Sequence, residues 1–238
     1  MVVRAHAVQS ETESRQPGSR VLYSGTRNAS SWALRAWLAL KEGGIAFEEE
    51  VVDIRRPQRF ANLDRIRAFS PPGAVPVLVD RDTVIFDSLA IMEYANELAG
   101  GALWPSDPRT RAHARALVAW QHAGLSGCCP RLSFESAFYP DRRTMTAQEV
   151  ADAARIFGVW EQELARSDGE WLAGALSLAD LAFVPTVVRL HAHLPGSAID
   201  PSSWPLAFAW MEALMARDTV REWMDEARTL PPVRLGDY

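Results

Sequence analysis

Apolar residues in the first part of the chain alternate between short continuous runs and runs at helical spacing. Continuous apolar runs bounded by turn residues predict strands, and apolar residues three or four apart predict helices. The predicted order is strand Arg20–Ser24, helix Ser31–Lys41, strand Phe47–Ile54, a polar helix or irregular segment over Arg56–Phe69, strands Val75–Asp80 and Thr83–Phe86, and helix Asp87–Leu98. These elements are expected to form a small α/β domain.

The pattern changes after Gly100 and Gly101, where glycines and prolines together are typical of a linker. Beyond this point the apolar residues recur at helical spacing. The predicted helices are Arg109–Leu125, Ala147–Arg166, Ser177–His193, Pro205–Met215 and Thr219–Ala227. We therefore expect a leader at 1–19, an α/β domain at 20–99, a linker at 100–108, an all-helical domain at 109–230 and a tail at 231–238.

Composition narrows the class of protein. The chain of 238 residues has a formal net charge of −5, which argues against a nucleic-acid partner because such proteins carry a basic patch. Its two cysteines, Cys128 and Cys129, are adjacent and cannot form a disulfide framework or a four-ligand zinc site. Residues 1–19 are polar and lack a signal peptide's apolar stretch, and no run approaches the roughly 18 apolar residues of a membrane span. We expect a cytoplasmic protein with a disordered leader and no metal, nucleic-acid or membrane partner.

A proline interrupts the run that otherwise predicts a central strand. Pro76 lies in the segment SPPGAVPVL and would remove a ladder hydrogen bond there. The strand either begins at Pro76 with a trans bond, or the Val75–Pro76 bond is cis at a bend. In the cis case, the backbone of Val75 would face outward and could pair with a bound peptide as an added strand would.

A second candidate site lies where a predicted strand ends and a helix begins, at Asp87 and Ser88. Free backbone N–H groups and the positive end of the helix dipole converge there, which favours a bound carboxylate. A serine hydroxyl beside an aspartate could hold a carboxylate and an ammonium group. The alternative is that one of these residues only caps the helix.

Polar residues also begin the first predicted helix, in the segment Asn28-Ala29-Ser30-Ser31-Trp32. A hydroxyl at a helix N-terminus can donate to an anion, and the dipole contributes roughly 0.3–1 kcal/mol. The alternative is again a serine that only caps the helix.

The chain from Val21 to about Ala227 resembles the cytosolic glutathione S-transferases. The segments SPPGAVPVL and DSLAIMEY match elements of that family at its spacing, and LSLADL matches its folding signal, in which Ser177 and Asp180 form a capping box. The start of the first predicted helix resembles bacterial members of the serine type, and more distantly the zeta, tau and omega classes. The resemblance implies a thioredoxin-like N-terminal domain and an all-α C-terminal domain.

The resemblance also implies roles for individual residues. Val75 would pair its backbone with the cysteinyl part of glutathione, with Pro76 cis. Asp87 and Ser88 would hold the amine and carboxylate of the γ-glutamyl group.

A hydroxyl at the start of the first helix would then stabilise the thiolate of glutathione, which serves as a cosubstrate without a metal. Aligning Arg35 with the family's helix arginine makes Ser30 the first candidate for this role. Ser31 and Asn28 are the alternates.

The family further implies a homodimer, and an electrophile bound between the domains. The electrophile would lie against the helix that contains His122. Four aromatic residues could line its pocket or pack in the core, namely Trp104, Trp120, Phe134 and Phe138. Cys128 and Cys129 lie far along the chain from the helix start, so we expect weak thiol transferase activity or none. The expected activity is transfer of glutathione to a small electrophile. The alternatives are a glutathione-dependent isomerase or dehalogenase, and a non-catalytic interaction protein of the stringent-starvation type.

Overall fold

The computed structural model describes residues 19–167 and 170–234. Residues 1–18 of the predicted leader and residues 235–238 of the predicted tail lie outside that part of the chain.

The N-terminal domain is built on one mixed sheet with the strand order β2-β1-β3-β4. Strand β1 pairs in parallel with β2 and antiparallel with β3, which pairs antiparallel with β4. The strands are β1 (Arg20–Gly25), β2 (Glu48–Val52), β3 (Val77–Asp80) and β4 (Thr83–Phe86), and the helices are α1 (Ser31–Glu42), α2 (Arg59–Arg67) and α3 (Ser88–Leu98). The predicted thioredoxin-like order of strands and helices is confirmed.

The C-terminal domain is helical, as predicted. Its helices are α4 (Pro108–His122), the short α5 (Cys128–Arg131), α6 (Ala147–Ser167), α7 (Leu178–His193), α8 (Pro205–Met215) and α9 (Asp218–Thr229). The capping box at the start of α7 is present: Ser177 Oγ accepts from the backbone N–H of Ala179, and Asp180 Oδ2 accepts from the backbone N–H of Ser177 at 2.9 Å. Satisfying these helix-end donors fixes where α7 begins.

Helix α1 joins the two domains because it is apolar on nearly all sides. Its residues from Ala33 to Leu40 are all buried, as expected for a helix covered on every face. It packs against α3 of its own domain and against α7 of the helical domain. The first turn of α1 is therefore held between the sheet and the helical domain, where the candidate site lies.

Most predicted boundaries differ from the observed ones by one to three residues, and two of these differences have a clear physical cause. Strand β3 begins at Val77 rather than Val75, since Pro76 has no N–H to give to the ladder. Helix α4 ends at His122 rather than Leu125, because Gly124 and Leu125 take positive φ values of 81° and 51° that a helix does not allow.

Within residues 19–167 and 170–234, no helix combines the length and the apolar character that crossing a membrane would require. The same residues contain no group of three or more His, Cys, Asp or Glu side chains placed to hold a metal ion.

Candidate functional site

A cavity of about 250 Å³ lies at the end of the sheet where β3, β4 and α3 meet. We call it the sheet-end cavity. Its lining includes Trp32, Val75, Pro76, Asp87 and Ser88. It brings together the residues that were predicted to bind the γ-glutamyl and cysteinyl parts of glutathione, from two separate stretches of the sequence.

The peptide bond between Val75 and Pro76 is cis. Of the two conformations that the sequence left open, the structure adopts the one that the family resemblance implied. Val75 is half-buried at the cavity wall, and the strand resumes at Val77.

Asp87 and Ser88 form the start of helix α3. Asp87 has a φ of 74°, unusual for a residue other than glycine, and its Oδ1 accepts from the backbone N–H of Leu89 at 2.8 Å. Asp87 therefore caps α3, which was one of the roles that the sequence allowed. Ser88 is only 1% exposed, and its Oγ has no hydrogen-bond partner among the described residues. A buried hydroxyl without a partner is uncommon and points to a ligand that completes it.

The first turn of α1 places its three candidate residues in different surroundings. Ser30 caps the helix and accepts from the backbone N–H of Ala33 at 3.3 Å. Ser31 is half-buried, and its Oγ accepts from Nη2 of Arg189 at 3.2 Å. Asn28 is fully buried and donates from Nδ2 to the backbone carbonyl of Pro231 at 2.8 Å. The amide of Asn28 thus binds the segment that follows α9.

Gly25 explains how Ser30 comes close to Val75. A Cβ placed on Gly25 would lie 2.7 Å from Cβ of Ser30 and 3.0 Å from Cγ2 of Val75. Only glycine permits this approach. The end of β1 therefore leaves Ser30 and Val75 on either side of one small space.

A second cavity, of about 420 Å³, lies between the domains. We call it the interdomain cavity. Ser31, Trp32 and Arg35 line it from α1, and Gln121 and Arg189 line it from the helical domain. His122, Cys129 and Pro185 complete this wall. Trp32 lines both cavities, so the two are neighbours.

Arg35 is held at the interdomain cavity by neutral partners. Its Nη1 donates to Oε1 of Gln121 at 2.5 Å, and Nε2 of Gln121 donates to Oγ1 of Thr186 at 3.2 Å. Its guanidinium lies 4.2 Å from the centroid of the Trp32 ring, close enough for a cation–π contact. Burial lowers the pKa of Arg35 to about 10, and the charge of Asp87 offsets part of that fall. Arg35 therefore stays charged at neutral pH.

His122 connects the two domains. Its Nε2 lies 3.5 Å from Oδ2 of Asp87, and its ring packs edge-on against Trp32 at 5.1 Å. Burial lowers the pKa of His122, while the Asp87 charge raises it and the Arg35 charge lowers it further. His122 was expected to lie near the electrophile, and it lines the interdomain cavity.

None of the four aromatic residues considered for the pocket is among the residues that line the interdomain cavity. Trp104 is buried and donates to Glu93, and Trp120 packs edge-on against Phe183. Phe134 and Phe138 pack against each other. All four pack in or against the hydrophobic core, which was one of the two roles that the sequence allowed.

Sequence reasoning placed the electrophile against the helix that contains Gln121 and His122, but it missed Arg189 as a cavity residue. Arg189 lies in a helix whose other buried residues are mostly apolar, LADLAFVPTVVRLHAH. An arginine inside such a run is rarely fully buried without a reason, and that was the available signal.

Comparison with known proteins places the chain in a family. Models of the N-terminal and the C-terminal domain of glutathione S-transferases match residues 29–98 and 144–213. The dichloromethane dehalogenase of Methylophilus leisingeri is 30% identical over 199 residues, which are 78% of this chain and 73% of that protein. The maleylacetoacetate isomerase of Mus musculus is 30% identical over 176 residues, which are 73% of this chain and 79% of that protein. The chain therefore belongs to the glutathione S-transferase family.

The fold agrees with solved structures. A glutathione transferase homologue from Burkholderia, described with bound glutathione, matches with a TM-score of 0.65 at 24% identity, over 89% of this chain and 100% of that one. The predicted fold class, a thioredoxin-like domain followed by an all-α domain, is confirmed.

Proposed function

We propose that this protein binds glutathione in the sheet-end cavity, stabilises its thiolate, and transfers it to a small electrophile in the interdomain cavity. The observation that carries the proposal is the Ser88 hydroxyl, which is buried without a partner among the described residues and lies next to Asp87. The bound glutathione described for the Burkholderia homologue supports the same ligand.

The γ-glutamyl and cysteinyl parts of glutathione each have a possible binding partner in the sheet-end cavity. The free N–H groups at the start of α3 and the Ser88 hydroxyl would receive the γ-glutamyl carboxylate. The Asp87 carboxylate would receive the ammonium, since Asp87 lines the cavity and only its Oδ1 caps α3. Its Oδ2, which lies 3.5 Å from Nε2 of His122, has room for a second partner because a carboxylate oxygen can accept more than one hydrogen bond. The backbone of Val75 would pair with the cysteinyl residue as an added strand does.

The thiol must lose its proton before it reacts. A free thiol has a pKa of about 8.5, and lowering it by about two units needs roughly 2.7 kcal/mol of preferential stabilisation of the anion. One charge-assisted hydrogen bond together with a helix N-terminus supplies an effect of this size.

Ser30 is the first candidate to donate that hydrogen bond, because it lies beside Val75. Its oxygen accepts from Ala33, so the hydroxyl proton remains for the sulfur. Ser31 is the competitor, since it lines the interdomain cavity and also accepts rather than donates in its contact with Arg189. Asn28 ranks last, because its amide nitrogen already binds the backbone near Pro231.

In the transfer step, the thiolate sulfur attacks an electrophilic carbon, a C–S bond forms, and the leaving group departs with its bonding electron pair. The relatives named as a dehalogenase and as an isomerase favour two variants of this chemistry through a glutathione adduct. As in the family at large, we expect the protein to act as a homodimer.

Calorimetric titration with glutathione tests the proposal. We expect binding by the wild-type protein and roughly 10-fold weaker binding by Ser88→Ala, which loses a hydrogen bond to a charged group. Ser70→Ala is the matched control, since the Ser70 hydroxyl is also buried without a partner among the described residues but does not line the sheet-end cavity. Absence of binding by the wild-type protein, together with a copurifying protein partner, would favour the non-catalytic alternative.

A further inference from the structure

The helical domain reaches the proposed γ-glutamyl site through His122, the last residue of α4. Nε2 of His122 lies 3.5 Å from Oδ2 of Asp87. The other carboxylate oxygen, Oδ1, accepts from the backbone N–H of Leu89 at 2.8 Å. The His122 ring also packs edge-on against Trp32 at 5.1 Å, a contact that orients it. Each oxygen of Asp87 therefore has a nitrogen beside it, one from its own domain and one from the helical domain.

The two nitrogens of the His122 ring have different surroundings. Nε2 faces the Asp87 carboxylate, which in its ionised form can only accept hydrogen bonds. Nδ1 is buried and has no partner among the described residues. A proton on Nδ1 would be a buried donor without an acceptor, and leaving such a donor unpaired is costly. The surroundings therefore favour a neutral ring that carries its proton on Nε2.

The charges around His122 favour the same neutral form. Burial lowers the pKa of His122, the charge of Asp87 at the start of α3 raises it, and the charge of Arg35 in α1 lowers it further. From α5 and α7, Cys129 and Arg189 line the same cavity as His122. Because the resulting pKa lies below the ordinary value of about 6.5, the ring is mostly uncharged at neutral pH.

A neutral donor suits the role proposed for Asp87. It orients the carboxylate without cancelling the negative charge that attracts an ammonium group. Asp87 is itself exposed, so its side chain would otherwise lose rotational freedom when the ligand binds. Fixing the carboxylate beforehand lowers that entropic cost and strengthens binding.

We propose that His122 is a positioning residue for glutathione, and that it donates from Nε2 to Oδ2 of Asp87 to fix the carboxylate that receives the γ-glutamyl ammonium. This inference rests on the proposed function, because it concerns the same binding site. His122 acts through Asp87 and does not itself bind glutathione. The helical domain would then contribute to the binding of glutathione as well as to that of the electrophile.

A matched pair of ligands separates this inference from the proposed function. Glutathione and its analogue without the γ-glutamyl amino group differ only in the ammonium. We expect calorimetry at neutral pH to show that the wild-type protein binds glutathione at least about 10-fold more tightly than the analogue. His122→Leu should weaken glutathione binding roughly 3-fold to 10-fold and change binding of the analogue by less than about 2-fold. His122→Gln should keep most of the preference, since its amide can donate from a similar position.

The pH dependence of glutathione binding gives a second readout. As the pH falls below about 6.5, His122 gains a proton, and its positive charge then lies beside the carboxylate that receives the ammonium. We expect the affinity of the wild-type protein for glutathione to decrease between about pH 6.5 and pH 5, and His122→Gln to remove most of that decrease.

His113→Gln is the matched control. His113 lies in the same helix, and its Nε2 is 2.7 Å from a carboxylate oxygen of Glu163, but it lines neither the sheet-end cavity nor the interdomain cavity. This variant should keep both the preference for glutathione and the pH profile of the wild-type protein.

The possible failures have different consequences. An unchanged preference for glutathione in His122→Leu would overturn the inference and leave the proposed function standing. An equal loss of both ligands in that variant would also overturn it, because His122 would then serve only to hold the domains together. Equal binding of both ligands by the wild-type protein would overturn the pairing of Asp87 with the ammonium, and the inference with it. Failure of the wild-type protein to bind glutathione would contradict the proposed function as well.

Discussion

Nε2 of His122 lies 3.5 Å from Oδ2 of Asp87, so the end of α4 in the helical domain meets the start of α3 in the thioredoxin-like domain. The contact lies between the two cavities, where Trp32 also packs against the His122 ring. Asp87 is therefore shared: it caps α3, it faces the helical domain, and it is the proposed partner of the glutathione ammonium.

The first prediction concerns acid stability. Burial lowers the pKa values of His122 and His193 in the folded chain. The unfolded chain then binds these protons more tightly, so their contribution is complete above the unfolded pKa of about 6.5 and is lost as the pH falls below it.

We expect the free energy of unfolding, measured with urea, to decline between about pH 6.5 and pH 5, and His122→Gln to make that decline shallower. His122→Gln combined with His193→Gln should flatten it further. The same slope in the wild-type protein and in the double variant would contradict this account.

The second prediction concerns the close approach at the end of β1. In Gly25→Ala, the new Cβ would press on Ser30 and Val75, and overpacking of this kind costs about 1–3 kcal/mol. We expect a lower melting temperature and weaker glutathione binding. Gly158→Ala is the control: its Cβ would lie 3.8 Å from Nε1 of Trp204, and alanine is favoured over glycine within a helix. A Gly25→Ala protein as stable as Gly158→Ala would show that the space is not tight.

The third prediction separates the structural role of Asn28 from a catalytic one. Asn28→Asp replaces the amide donor with a carboxylate facing the carbonyls of Leu230 and Pro231. We expect a loss of about 1–3 kcal/mol in the free energy of unfolding, because a buried hydrogen bond is removed and its acceptors are left unpaired. Asn28→Ala should also destabilise the protein, yet leave the ultraviolet absorbance of the bound thiolate unchanged. Loss of that absorbance in the folded Asn28→Ala protein would return Asn28 to the list of catalytic candidates.

The fourth prediction concerns the adjacent cysteines. Burial raises the pKa of Cys128 to about 11, whereas Cys129 is half-buried and lines the interdomain cavity. Since the thiolate is the reactive form, iodoacetamide at neutral pH should label Cys129 and spare Cys128. Labelling should disappear in Cys129→Ser, persist in Cys128→Ser, and slow when an S-substituted glutathione is bound. Mass spectrometry of the labelled peptide reads out the modified residue, and modification of Cys128 in the folded protein would contradict the assignment.

The site residues that could be predicted from the sequence are those whose role shows in the few residues around them. Pro76 interrupts a strand, and Asp87 and Ser88 stand at a strand-to-helix junction, so each was recognisable from its neighbours alone. The capping box of Ser177 and Asp180 is local in the same way.

The interdomain cavity depends instead on contacts between distant parts of the chain. Arg189 and Ser31 are 158 positions apart, and Gln121 and Arg35 are 86 apart. Which side chains meet there is decided by how α4 and α7 pack on α1, and no periodicity within one helix specifies that packing. For the same reason the aromatic residues considered for the pocket could not be separated from those of the core.

The measurement that tests the central claim most directly is the pKa of glutathione's thiol in its complex with this protein. This pKa is obtained by monitoring the ultraviolet absorbance of the thiolate across a pH titration. We predict a pKa about two units below the free value of about 8.5 in the wild-type complex, and a return of at least about one unit towards it in Ser30→Ala. Ser31→Ala is predicted to leave the pKa of the bound thiol unchanged. A Ser30→Ala complex with the wild-type pKa would contradict the assignment, and if Ser31→Ala instead raised the pKa, the activating hydroxyl would be that of Ser31.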